Sequence, residues 1–89
     1  METKTITESE IFGDIKFGGN LKFTAEKVIV HGYINADGYI NAGGDINADG
    51  YIYAGGYINA SGDINVGGYI NAGGEINAGG KIKSKNINK

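Results

Sequence analysis

The 89-residue chain contains no cysteine, no proline, no tryptophan and no arginine. Without cysteine there is neither a disulfide framework nor a thiolate metal site, and the redox compartment is left open. Without proline or a glycine at every third position, the 17 glycines cannot form collagen. Without arginine, the rigid fork that reads phosphates and base edges is missing, so nucleic acid is not a favoured partner. No run approaches the roughly 18 apolar residues of a membrane-spanning helix. The opening METKTITESE lacks the apolar segment of a secretory signal. A cytoplasmic protein is expected.

Charge is scarce overall and unevenly placed. The formal charge of −2 combines four lysines and ten acids in residues 1–79 with four lysines and no acid in residues 80–89. A chain of this length makes one small domain with a core of only marginal size.

What is present is a repeat. From Gly32 onward the chain parses as Gly-x-Ile-x-Ala-x, with glycine at 32, 38, 44, 50, 56, 62, 68, 74 and 80 and isoleucine two residues after each. Small or apolar residues alternate with polar ones, which is the period of a strand and not of a helix. The varying positions carry a second period of 18 residues. Tyr33, Tyr51 and Tyr69 share one column, Tyr39 and Tyr57 another, Asp45 and Asp63 a third, and Asn41, Asn59 and Asn77 a fourth. Six-residue units that cycle in threes predict an all-β, three-sided parallel β-helix with 18 residues per turn. Successive turns then lie about 4.8 Å apart, with isoleucine stacked on isoleucine inside. The right hand is favoured by the general crossover preference, with the left hand as the alternative. Glycine and aspartate in the sixth slot suit tight or left-handed corners, and the first-slot glycine leaves room for the isoleucine of the adjacent face.

Before Gly32 the frame loosens. Gly13–Gly18 and Gly19–Thr24 fit with phenylalanine in place of alanine, whereas Ala25–His31 is one residue too long and predicts a bulge or altered corner. About four turns are expected, with residues 1–12 as an N-terminal segment or cap, 13–85 as the β-helix and 86–89 as a lysine-rich tail.

The run AEKVIVHGYINADGYINAGGDI resembles the bactofilin family of polymer-forming β-helical proteins. That resemblance implies a right-handed β-helix that associates end to end into scaffolding filaments near the membrane. The family's targeting segment is apolar or basic; METKTITESE is neither, so membrane association is not expected. The hexapeptide units are also similar to the left-handed β-helices of hexapeptide-repeat acyltransferases. Enzymes of that architecture employ histidines, and this chain has only His31, read as a partly exposed loop residue.

No catalytic set, metal site, cofactor or small-molecule substrate is expected from the residues. The Asp45 and Asp63 column reads as corner and solubility residues, since the nine-residue repeat of calcium-binding β-rolls is absent. Six tyrosines (Tyr33, Tyr39, Tyr51, Tyr53, Tyr57 and Tyr69) fall on two adjacent faces, as aromatic ladders and as a protein-contact surface. Phe12, Phe17 and Phe23 are expected to plug the N-terminal end and Lys81, Lys83, Lys85 and Lys89 to guard the other or meet an acidic partner, with Phe12, Phe17, Phe23, Lys81, Lys83 and Lys85 as the candidate end-to-end contacts. Two functions are therefore expected: a non-enzymatic scaffold that associates with itself head to tail, or a small inhibitor or adaptor, for example phage-encoded, that binds another protein through tyrosine.

Overall fold

The computed structural model describes residues 2–88, which wind through three parallel sheets with no helix among them. The first turn holds β1 (Thr3–Ile6), β2 (Glu10–Phe12) and β3 (Ile15–Phe17). The second holds β4 (Asn20–Phe23), β5 (Lys27–His31) and β6 (Ile34–Ala36), and the third β7 (Ile40–Ala42), β8 (Asp45–Ala48) and β9 (Ile52–Ala54). The fourth holds β10 (Ile58–Ala60), β11 (Ile64–Val66) and β12 (Tyr69–Ala72), and the last β13 (Ile76–Ala78), β14 (Ile82–Lys83) and β15 (Asn86–Asn88). Each face takes every third strand: β1-β4-β7-β10-β13 form the first, β2-β5-β8-β11-β14 the second and β3-β6-β9-β12-β15 the third. The result is a three-sided parallel β-solenoid.

Alternation decides which side chains go inside. In the regular turns Ile58 pairs with Ile40 and Ile76, Ile64 with Ile46 and Ile82, and Ile70 with Ile52, all at the 18-residue spacing. The isoleucines at 34, 40, 46, 52, 58, 64 and 70 are fully buried, with the alanines beside them. Each contributes on the order of 1.5–3 kcal/mol by leaving water. A one-residue slip would turn every column inside out, so the register is strongly specified.

The solenoid has five turns where the glycine frame counts about four. The additional turn comes from Thr3–Ile6 and Glu10–Phe12, which pair with β4 and β5 although they carry no Gly-x-Ile unit. Sheet pairing needs alternation and a free edge, not the repeat itself. Phe23 is consequently covered by Ile6 from the turn before it.

The overlong unit resolves at one residue. Leu21 pairs with Ile40, a spacing of 19, whereas Val28 pairs with Ile46, a spacing of 18. The Gly43 amide donates to the Phe23 carbonyl and the Asp45 amide to the Glu26 carbonyl. Gly43 stands against Thr24 and Gly44 against Glu26, so Ala25 has no counterpart on the next turn. The corner is longer by that one residue.

Glycine serves the corners differently from the expectation. Among the described residues no non-glycine residue has positive φ, and Gly13 is the only glycine that does, at 110°. The repeat corners are therefore not left-handed. What demands glycine is crowding along the axis: a Cβ at Gly55 would collide with the Asp37 carbonyl of the turn before. First-slot glycines also bond to each other between turns, as where the Gly50 amide donates to the Gly32 carbonyl at 2.9 Å and Gly68 to Gly50 at 2.9 Å. The corners are thus hydrogen-bonded ladders like the faces. No helix among the described residues is long and apolar enough to cross a membrane.

Candidate functional site

Five of the six tyrosines form two stacked ladders on the surface. Tyr33, Tyr51 and Tyr69 stack at the leading edge of the third face, with centroids 4.8 and 5.1 Å apart and planes within 3°. Tyr39 and Tyr57 stack at the same slot of the first face, 4.9 Å apart and also within 3°. The spacing is that of the strands, so the backbone fixes the stack. Burial, followed by the neighbouring Tyr33 and Tyr69, pushes the Tyr51 phenol above its ordinary value. Tyr53 shares the third face but not the ladder, since its register partners are Asn35 and Asn71. Beside the ladder on the first face runs the asparagine row Asn41, Asn59 and Asn77.

The Asp45 and Asp63 column has a structural task that the sequence reading missed. Asp45 Oδ1 accepts the Asp63 amide at 2.7 Å, and Asp63 Oδ1 accepts the Lys81 amide at 2.8 Å. Asp14 Oδ1 does the same for the Tyr33 amide and Asn20 Oδ1 for the Tyr39 amide, each at 3.0 Å. The shared signal is an Asp or Asn directly after a glycine, one turn before the amide it takes. A Cβ at Gly62 or Gly80 would occupy the space of the accepting carboxylate, which explains why glycine precedes Asp63 and Lys81.

His31 is also better connected than expected. It is the last residue of β5 and not a loop residue. Its Nε2 lies 2.8 Å from Glu10 Oε2 and its Nδ1 3.1 Å from Asp49 Oδ2, so it bridges the turns before and after its own. Phe12 stacks on the imidazole at 4.8 Å and 15°. The hydrogen bond to Glu10, then that to Asp49, raises the imidazole pKa above 6.5. No group of three or more side chains placed to hold a metal ion occurs among the described residues.

The three phenylalanines do not come together as a plug. Phe12 is 79% exposed on the outside of the second face, and Phe23 lies in the core at 1%. Phe17 is half-buried at the N-terminal end, where Lys4 Nζ lies 5.9 Å from its ring centroid. Their positions differ because one lies at an outward slot and the others at inward ones. Lys81, Lys83 and Lys85 are exposed in the last turn; Lys89 lies outside the described residues. In that turn Ile76 and Ile82 are half-buried and Ile87 is 45% exposed, with no further strand over it among the described residues.

No family model, curated protein or solved structure matches the chain.

Proposed function

We propose that the protein is a non-enzymatic structural element that associates with itself head to tail, as a cytoplasmic scaffold or filament unit. The observation that carries this reading is the C-terminal edge of the three sheets. Among the described residues β13, β14 and β15 each have a partner on one side only, and Ile76, Ile82 and Ile87 form the floor of that end. Lysines at 81, 83 and 85 rim it, while Glu2, Glu8, Glu10 and Asp14 against Lys4 make the other end acidic. Opposite charges favour N-terminal to C-terminal contact, and such a heterologous contact is open-ended unless its rotation closes. The three sheets would then run on from one molecule to the next. End-to-end association is also what the likeness to bactofilins implies, and the reading assigns the chain no catalytic step.

The test is sedimentation and electron microscopy across salt concentration. Assemblies that lengthen at low salt, and shorten when Lys81, Lys83 and Lys85 are changed to Glu, are the expected outcome. A strict monomer at high concentration and low salt would sink the proposal.

A second reading is a small module that binds another protein through tyrosine. It is favoured by the ordered ladders with exposed rings at Tyr57 and Tyr69. Changing Tyr33, Tyr51 and Tyr69 to Ser would abolish partner capture while leaving assembly intact.

A further inference from the structure

The tyrosine ladder on the first face stops one turn before the face does. Tyr39 stacks on Tyr57, and in the next turn Glu75 stands where a third ring would continue the stack. The step leaves a groove of about 510 Å³ lined by Gly56, Tyr57, Asn59, Gly74, Glu75 and Asn77. Glycine at 56 and 74 leaves bare backbone on one side of it, and the two asparagines supply amide groups on the other. Tyr57 is 39% exposed. Glu75 takes part in no ion pair among the described residues.

Each of these groups asks for the same kind of ligand. An open tyrosine ring attracts a cation through its quadrupole, within about 6 Å of the centroid. A carboxylate roughly one strand spacing away, about 4.8 Å, adds the opposite charge. A ligand that takes the place of the missing rung must be flat. A guanidinium is flat, charged, able to stack on tyrosine and able to fork onto a carboxylate, whereas an ammonium is only charged. We propose that the step below Tyr57 is a recognition site for an arginine side chain of a partner protein. A second copy cannot fill it, because the chain contains no arginine.

The molecule carries its own control. The ladder on the third face ends in a similar groove of about 540 Å³ below Tyr69, but Lys85 lines that one beside Asn71, Asn86 and Asn88. Its cation repels another. Equal ring geometry with opposite charge separates recognition of a planar cation from general stickiness of exposed tyrosine.

The experiment is a titration of the full-length ¹⁵N-labelled protein with acetyl-Gly-Arg-Gly-amide and its lysine and citrulline counterparts, read as amide chemical-shift changes. The expected result is saturable shifts at Tyr57, Asn59, Gly74, Glu75 and Asn77, with the arginine peptide binding several-fold tighter than lysine and citrulline not binding. Glu75→Lys, which leaves the Tyr39–Tyr57 stack in place, should abolish the saturable shifts. Tyr57→Leu should weaken binding by on the order of ten-fold. Equal response to arginine and lysine, shifts centred on Tyr69, or arginine binding that survives Glu75→Lys would each overturn the proposal. The readout is a map of residues and not particle size, so failure here leaves the self-association proposal standing.

Discussion

The two ends of the solenoid are built from the same kind of strand and finished in opposite ways. At the N-terminal end Ile6 and Ile15 are only 6% and 8% exposed although theirs is the first turn among the described residues. Lys4 sits in register with the buried Leu21, at an inward slot, and its ammonium reaches over the Phe17 ring. A long side chain with an apolar stem can cover a core and keep its charge in water. At the C-terminal end the inward slots hold Ile76, Ala78, Ile82 and Ile87, and their lysine neighbours at 81, 83 and 85 are exposed. Among the described residues, the first turn is covered by its own side chains and the last is not. A solenoid unit cannot bury its hydrophobic face alone, so the open end is where a further layer gains most.

The largest expected effect comes from the residues beneath the first turn. Phe23→Ala should cost about 3–5 kcal/mol in urea unfolding, because Ile6 closes the site and prevents relaxation. Ile82→Ala, at the half-open end, should cost well under half as much under monomeric conditions. Equal losses would mean that the two ends are equally covered in solution.

Removal of a corner acceptor should be next. Asp45→Ala leaves the Asp63 amide without its acceptor, and Asp14→Ala does the same to the Tyr33 amide. Each should cost about 1–3 kcal/mol, with Asp45 at the upper end because its bond is less exposed. Thermal unfolding of both variants, side by side, measures the difference between the interior and the N-terminal end.

Uncapping should cost less. Lys4→Ala removes the stem and charge over Phe17 and should destabilise by about 0.5–1 kcal/mol. Hydrogen exchange should rise in β1 to β3 and stay unchanged in β13 to β15. A variant with faster exchange throughout would show that the cap is not local.

The smallest effect is a pH dependence confined to the N-terminal half. The pKa of His31 is raised in the folded chain, chiefly by Glu10 and then by Asp49. Its contribution is fully present below the unfolded value of about 6.5 and is lost as pH rises through the higher folded value. Protection factors in β2, from which the intrinsic base catalysis of exchange has been divided out, should therefore fall from acid to mildly alkaline pH, and His31→Gln should flatten that profile. A profile unchanged by the substitution would assign the dependence to other groups.

Most of the architecture could be read from the repeat because the repeat is the architecture. Columns of Ile34, Ile52 and Ile70 follow from the 18-residue spacing alone, and so do the tyrosine stacks. The first turn was hidden because TKTI and EIF have the alternation of a strand without glycine to mark the corners. An inward lysine at position 4 also contradicts the pattern from which inward slots are recognised. Asp49 lies 18 residues after His31 and was within reach of the frame, while Glu10 lay in the turn the frame did not include. The Asp and Asn corner bonds were missed for a different reason. A residue after glycine reads as a surface position, and only the geometry of the next turn turns its side chain into an acceptor.

Ala25 has a bearing on how the chain finds a single structure. Turns that look alike invite error, since a strand displaced by one whole turn would still set isoleucine against isoleucine. Most of this sequence has that translational degeneracy, and an 18-residue slip within it would lose little except length. The corner with Ala25 fits in one place only, between β4 and β5. It acts as an index mark at the start of the uniform repeat and, with the shorter corners before β2 and before β15, fixes the count of turns that the repeat by itself leaves undefined.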